Sequence, residues 1–102
     1  MRLKDYELKA IRTLFQKHFG LKDHIYLFGS RVDDTKKGGD IDLYVQTQEV
    51  DIKRLLDQKM AFLLALEEKI GEQKIDVVLH RIKQNEDLPI YKIAREEGVL
   101  LL

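Results

Sequence analysis

Apolar residues recur along the chain with two different periods, and the alternation of these periods predicts the order of helices and strands. Between residues 3 and 19 they fall at intervals of three and four, as on the buried face of an amphipathic helix. Gly20 is a natural stop for this helix. We expect the helix to cover one face of a sheet.

A second, longer helix is predicted over residues 51–70, with Asp51 as its N-cap and Gly71 as its stop. It carries a wide apolar stripe made up of Ile52, Leu55, Leu56, Met60, Leu63, Leu64, Leu66 and Ile70. We expect the stripe to pack on the sheet. Phe62 lies off this stripe and is predicted to be a surface contact for a partner.

Three short runs rich in β-branched and aromatic residues are predicted to be strands, at 25–28, 41–45 and 75–79. The longer helix connects the last two, so we expect these two strands to lie side by side. A short third helix follows Asp87, its predicted N-cap, and has proline in its first turn. The apolar tail at 99–102 is expected to return to the sheet as an edge strand.

The composition narrows the classes of protein to which the chain can belong. Its 102 residues predict one domain, 1–102, and the absence of cysteine excludes disulfides and thiolate metal sites. Eighteen basic and eighteen acidic residues cancel, so neither direct nucleic-acid binding nor membrane binding is expected. No apolar run approaches the roughly 18 residues of a membrane span, and early charges exclude a signal peptide. These features predict a soluble, cytoplasmic protein.

The candidate chemistry is concentrated in a glycine turn and three carboxylates. Gly29-Ser30 closes the first predicted strand, where a glycine lets backbone N–H groups approach an oxyanion and the serine adds a hydroxyl donor. Asp40 and Asp42 open the second strand. Because strand side chains alternate, both leave the same face about 7 Å apart in Cα. Such a pair is suited to a divalent cation, although two solvated acids on an open strand face would look the same.

The third strand decides between these two interpretations. Asp76 interrupts an otherwise apolar segment, where an ionised carboxylate needs a cation, a metal or water beside it. Three carboxylates on two strands, next to a phosphate-sized turn, are the groups that two-metal phosphoryl transfer requires. His24 and His80 flank strands and are expected to be solvated or hydrogen-bonded, outside the site.

These motifs resemble the signature of the DNA polymerase β-type nucleotidyltransferase superfamily. The resemblance covers residues 24–80 and rests on the Gly-Ser turn, the Gly-Asp-Ile-Asp-Leu strand and the later Ile-Asp-Val strand. It implies an α/β (α+β) nucleotidyltransferase fold, a small mixed sheet with helices mainly on one face. By analogy, Asp40, Asp42 and Asp76 match catalytic acids that bind two Mg²⁺ ions, and Gly29, Ser30 and Arg31 match the part that binds ATP.

The loop between the two halves of the motif departs from the family pattern. Many members carry a second arginine and a glycine soon after Gly-Ser-Arg, and a serine before the first aspartate, where this chain has Gly39. Arg31, Lys36 and Lys37 are the candidates for positive charge beside the phosphates. Two interpretations of the loop stay open: an ordinary connector, or a helical turn whose N-terminus faces the triphosphate.

The small size of the chain resembles the minimal branch of the superfamily, the MNT antitoxins that accompany HEPN toxins. Little chain follows the third strand, so the acceptor surface is expected to come from another protein. The resemblance implies AMP transfer from ATP to a tyrosine of a HEPN toxin, as in a type VII-like toxin-antitoxin pair. The alternatives are an antitoxin that acts by binding alone, and nucleotidyl transfer to a small molecule.

Overall fold

A mixed sheet forms the centre of the computed structural model, which describes residues 1–35, 39–84 and 87–102. The strands are β1 (His24–Phe28), β2 (Ile41–Thr47), β3 (Ile75–Arg81) and β4 (Val99–Leu100). The helices are α1 (Asp5–His18), α2 (Ile52–Ile70) and α3 (Pro89–Glu97), and a 3-10 turn, Gly29–Val32, follows β1. The strand order in the described residues is β3-β2-β1-β4.

The strand pairing follows the connections predicted from the sequence. β2 and β3 are parallel neighbours because α2 carries the chain back between them, whereas β1 and β2 pair antiparallel. The apolar tail pairs antiparallel with β1 as β4, so the prediction of an edge strand is confirmed. The small mixed sheet with three helices confirms the predicted fold class.

α1 and α2 cover the face of the sheet formed by the apolar side chains of β2. Ile41, Leu43 and Val45 are fully buried there against residues of both helices. The ends of α2 are as predicted: the Asp51 side chain accepts hydrogen bonds from the backbone N–H groups of the first turn, and Gly71, at φ 85°, terminates the helix. α2 therefore lies on the side of the sheet opposite to the Asp42 side chain, as expected.

The prediction for the buried side of α2 was wrong in part. Phe62 is fully buried against the rings of Phe15 and Phe19 on α1, at centroid distances of 6.2 and 5.7 Å, so it is not a surface contact. Four residues of the predicted stripe are instead about half exposed, namely Ile52, Leu56, Met60 and Leu64. Docking of α1 on one flank of α2 turned the buried face toward Phe62 and left the opposite flank in solvent.

α3 packs on the other face of the sheet, the face of the carboxylates. Tyr91 and Ala94 are buried against Phe28 and Tyr44 in a second, smaller apolar cluster. The predicted N-cap of this helix was wrong: the cap position is Leu88, without a side-chain cap bond, and Asp87 precedes it. Proline at the first helical position drives the residue before it into extended backbone, which places the cap one residue later than predicted. No helix in the described part of the chain is long and apolar enough to cross a membrane.

Candidate active site

Three carboxylates converge at one end of the sheet. Asp42 and Asp76 occupy equivalent second positions of β2 and β3 and lie directly opposite each other in the parallel ladder. Asp40 immediately precedes β2 and projects on the same side as Asp42. One carboxylate oxygen from each residue lies within 4.8 Å of the others. The alternation of strand side chains therefore produces the predicted cluster.

The cluster is electrostatically unfavourable when no cation is bound. Burial raises the pKa of Asp42, and the nearby charges of Asp76 and then Asp40 raise it further, while Lys74 lowers it. The Lys74 ammonium lies 3.4 Å from an Asp40 oxygen, but both side chains are substantially exposed. In the described residues no donor contacts the carboxylates of Asp42 and Asp76. The site therefore has an excess of negative charge and open oxygen ligands.

Two glycines allow the glycine turn and the carboxylates to approach each other. Gly29 has φ 76°, and a Cβ added to it would lie 2.2 Å from Oδ2 of Asp42. Gly39 has φ 89°, and a Cβ there would lie 2.3 Å from Oγ of Ser30. Both positions thus need glycine for its backbone angle and for its lack of a side chain. Gly29 lies against Asp42, and Ser30 lies beside the residue that precedes Asp40.

Gly39 is one of the positions at which the sequence departs from the family pattern, and its φ of 89° favours glycine. A Cβ at position 39 would lie 2.3 Å from the hydroxyl oxygen of Ser30, so Ser30 would have to move to admit a serine there. In the described residues the Ser30 hydroxyl makes no hydrogen bond, so it is available to a ligand. The glycine was visible in the sequence, but the closeness of its backbone to the Ser30 side chain could not be predicted, because the two residues are nine positions apart.

The N-terminal segment holds the 3-10 turn in place, a feature that the sequence did not predict. The Arg2 guanidinium donates hydrogen bonds to the carbonyl oxygens of Ser30 (2.8 Å) and Asp33 (2.9 Å). The Arg2 backbone N–H donates to the Arg31 carbonyl (2.7 Å), and Arg31 donates back to the Arg2 carbonyl (3.0 Å). These contacts span about thirty residues, so no local pattern could have indicated them. Arg2 is therefore a positioning residue for the turn that carries Ser30.

The predicted sources of positive charge have different outcomes. Arg31 lies next to the site, but its guanidinium donates to two backbone carbonyls, those of Arg2 and of Gly39 at 3.3 Å. Lys36 and Lys37 lie outside the described residues. The loop does begin with the 3-10 turn. Lys74, which the sequence pattern did not indicate, forms an ion pair with Asp40, one of the three carboxylates.

His80 lies inside the longer β3 and does not reach the carboxylates. It is buried, its Nδ1 lies 2.6 Å from the Tyr44 hydroxyl, and its ring stacks on Tyr91 with centroids 3.9 Å apart. His24 is exposed, with Nδ1 3.1 Å from the Leu102 carbonyl. Both histidines are thus hydrogen-bonded structural residues, as predicted.

Comparison with known proteins agrees with the fold. Residues 9–102 match the family model described as polymerase beta, nucleotidyltransferase. The match covers nearly the whole chain and includes the glycine turn and all three aspartates. The chain therefore belongs to the polymerase beta nucleotidyltransferase family. A search of curated proteins found no match.

Proposed function

We propose that the protein transfers AMP from ATP to a tyrosine hydroxyl of a partner HEPN toxin in the presence of Mg²⁺, and so acts as an antitoxin. The observation that carries the proposal is the convergence of Asp40, Asp42 and Asp76 beside the Gly29–Ser30 turn. Family membership supports nucleotidyl transfer as the reaction class. The choice of AMP, tyrosine and a HEPN partner rests on the resemblance to the MNT antitoxins.

The donor set is suited to magnesium. Asp40, Asp42 and Asp76 offer hard carboxylate oxygens, the ligand type that Mg²⁺ prefers, and the chain contains no thiolate to favour a softer metal. Burial, followed by the charges of Asp76 and Asp40, raises the pKa of Asp42, and a bound cation would oppose this by favouring the ionised carboxylate. When bound, Mg²⁺ would offset negative charge on the phosphates of ATP.

The residues of the chain supply the remaining steps. In this proposal the Ser30 hydroxyl and the backbone N–H of Gly29 donate hydrogen bonds to the triphosphate. Asp76, whose side chain is exposed, accepts a hydrogen bond from the acceptor hydroxyl and orients its oxygen toward the α-phosphorus. A bond forms between this oxygen and the α-phosphorus, the bond between the α-phosphorus and the bridging oxygen to the β-phosphate breaks, and pyrophosphate leaves. The hydroxyl proton passes to the Asp76 carboxylate.

The exposure of the cluster supports an acceptor on the surface of another macromolecule. Asp76 is exposed, and the side chains of Asp40 and Lys74 are 40% and 73% exposed. On this face α3 packs around Tyr44 and Phe28. A side chain on a folded partner could therefore reach the carboxylates without first entering a deep pocket.

The test combines the chain with Mg²⁺, ATP labelled at the α-phosphate, and a purified HEPN-domain protein as the candidate acceptor. Label should pass to that protein from α-labelled ATP but not from γ-labelled ATP. Asp40→Asn should abolish transfer, whereas Asp57→Asn, the same change on the exposed surface of α2, should not. Neutralisation that survives Asp42→Asn without any transfer would instead support an antitoxin that acts by binding, and would refute the proposal.

A further inference from the structure

An apolar row on α2 is exposed on the side of the helix opposite to its buried residues. Leu56, Met60 and Leu64 are 47, 54 and 61% exposed, whereas Phe62 on the same helix is fully buried. The three residues are spaced by four, so they form one ridge along the helix surface. Phe62 contacts α1, and the ridge lies on the flank of α2 that faces away from α1. The ridge is thus an unpartnered apolar surface of the described structure.

Opposite charges lie at the two ends of the ridge, at equal distances from its centre. Lys53 precedes Met60 by seven residues, and Glu67 follows it by seven, while Leu56 and Leu64 lie four residues away on either side. At about 100° per residue, all five side chains lie within about 40° of Met60 around the helix axis. The face therefore has a basic end, an apolar centre and an acidic end. Two copies of this face related by a two-fold axis at Met60 would place the basic end of one against the acidic end of the other, so the face is complementary to itself.

The charges at the ends oppose the helix dipole of a single chain. Lys53 lies in the first turn of α2, where a cation is unfavourable, and Glu67 lies in the last turn, where an anion is unfavourable. Neither side chain forms an ion pair within residues 1–35, 39–84 and 87–102. An antiparallel second helix would bring Glu67 of one copy to Lys53 and the N-terminus of the other. The pairing would thus place an anion near each N-terminus of α2 and a cation near each C-terminus, where the helix dipole favours them.

We propose that two copies of this chain associate through antiparallel packing of α2 against α2, with Met60 at the two-fold axis. Leu56 of each copy lies against Leu64 of the other, and Lys53 pairs with Glu67 at both ends. Ridges of residues spaced by four pack into one another at a crossing angle of about 50°. Such an interface is isologous and closes as a dimer. It leaves both carboxylate clusters open, because Asp42 projects from the opposite face of the sheet.

Sedimentation equilibrium of the full chain, at micromolar and submillimolar concentrations, gives the first test. The chain should be dimeric at the higher concentration. Met60→Glu should weaken association at least about a hundredfold, because it places two charges at the apolar axis. Gln16→Glu, which also introduces a glutamate but at an exposed position of α1, should have no effect. A chain that stays monomeric, or a Met60→Glu variant that dimerises normally, would overturn the proposal.

Exchange of the two charges tests the register. Lys53→Glu alone and Glu67→Lys alone should each weaken association, because each places like charges opposite each other at both ends. The double variant Lys53→Glu, Glu67→Lys should restore it, since the opposite charges face each other again. Circular dichroism checks that all three variants keep their helices. If the double variant is as weak as the single ones, the antiparallel pairing is refuted.

A disulfide cross-link tests contact at the axis directly, because the chain has no cysteine of its own. Met60→Cys should form a covalent dimer rapidly with a mild disulfide oxidant. Ala61→Cys, exposed but about 100° farther around the helix, should cross-link much more slowly. Equal rates for the two variants would contradict the two-fold axis at Met60. None of these three experiments requires nucleotidyl transfer, so a negative result would refute the dimer and leave the proposed function untouched.

Discussion

Replacement of Gly29 by alanine tests whether the glycine turn and the carboxylates form one site. The residue has φ 76°, which costs an alanine about 1–2 kcal/mol. The added Cβ would also lie 2.2 Å from Oδ2 and 3.1 Å from Cγ of Asp42, whereas relaxed contacts lie near 3.5 Å. The carboxylate must therefore move by about 1 Å or more. A displacement of that size can lower the rate of a reaction about a hundredfold.

Gly71→Ala is the matched control for the backbone term. Gly71 has φ 85° and ψ 177°, a region that only glycine occupies readily, and nothing lies within 4 Å of the position of its Cβ. Its replacement should lower the free energy of unfolding by about 1–3 kcal/mol through strain alone. We expect Mg²⁺ to raise the urea midpoint of unfolding by binding the folded chain, and Gly71→Ala should leave this increase unchanged. Gly29→Ala should lose both this increase and nucleotidyl transfer.

Urea unfolding with and without Mg²⁺ provides the measurement, and a double-mutant cycle isolates the contact. In an Asp42→Ala background the cost of Gly29→Ala should fall to the strain term, because the carboxylate that it displaces is gone. The reasoning is refuted if Gly29→Ala and Gly71→Ala respond equally to Mg²⁺, or if the two substitutions at Gly29 and Asp42 are additive.

Three further predictions concern the charge, the turn and the core. Asp42→Asn should raise the free energy of unfolding of the metal-free chain at pH 7, and this gain should disappear as the pH falls to about 4. The reason is that the pKa of Asp42 is raised in the folded chain, so its carboxylate destabilises the fold only above the ordinary aspartate pKa. A difference in urea unfolding that does not change with pH would contradict this. Arg2→Ala should weaken binding of a non-hydrolysable ATP analogue about tenfold in calorimetry, because the hydrogen bond from Arg2 to the Ser30 carbonyl is lost. Unchanged affinity would show that the turn keeps its conformation without Arg2. Phe62→Ala should lower the free energy of unfolding by about 3–5 kcal/mol, whereas Gln16→Ala should lower it by less than about 0.5 kcal/mol. If Phe62→Ala costs as little as Gln16→Ala, Phe62 is not a core residue.

The parts of the site that lie on regular strands could be predicted from the sequence. Alternation places Asp40 and Asp42 on one side, and a helix that crosses between two strands makes those strands parallel neighbours, which brings Asp76 opposite Asp42. These are local rules that depend only on spacing. The edge strand at the C-terminal end was predicted from composition instead, because the apolar residues 99–102 needed cover.

The missed features depend on contacts between distant segments. α2 carries more apolar residues than one face can bury, and the position of α1 decided that Phe62 is buried and Leu64 is exposed. No periodicity within α2 contains that information. Likewise, the hydrogen bonds from Arg2 to Ser30 join the two ends of the first third of the chain. Arginine near a terminus is otherwise an ordinary surface residue.

The core explains why the carboxylates keep their unfavourable arrangement. Ile41 and Leu43, on either side of Asp42 in the chain, are fully buried on the helix face of the sheet, so β2 cannot shift to separate the acids. Gly29 lies so close to Asp42 that a Cβ added to it would lie 2.2 Å from Oδ2 of that residue. Repulsion between Asp42 and Asp76 is therefore held in the folded chain until a cation relieves it. Buried side chains on one face of the sheet thus fix the positions of the carboxylates on the other, and the raised pKa of Asp42 makes this arrangement cost stability at neutral pH.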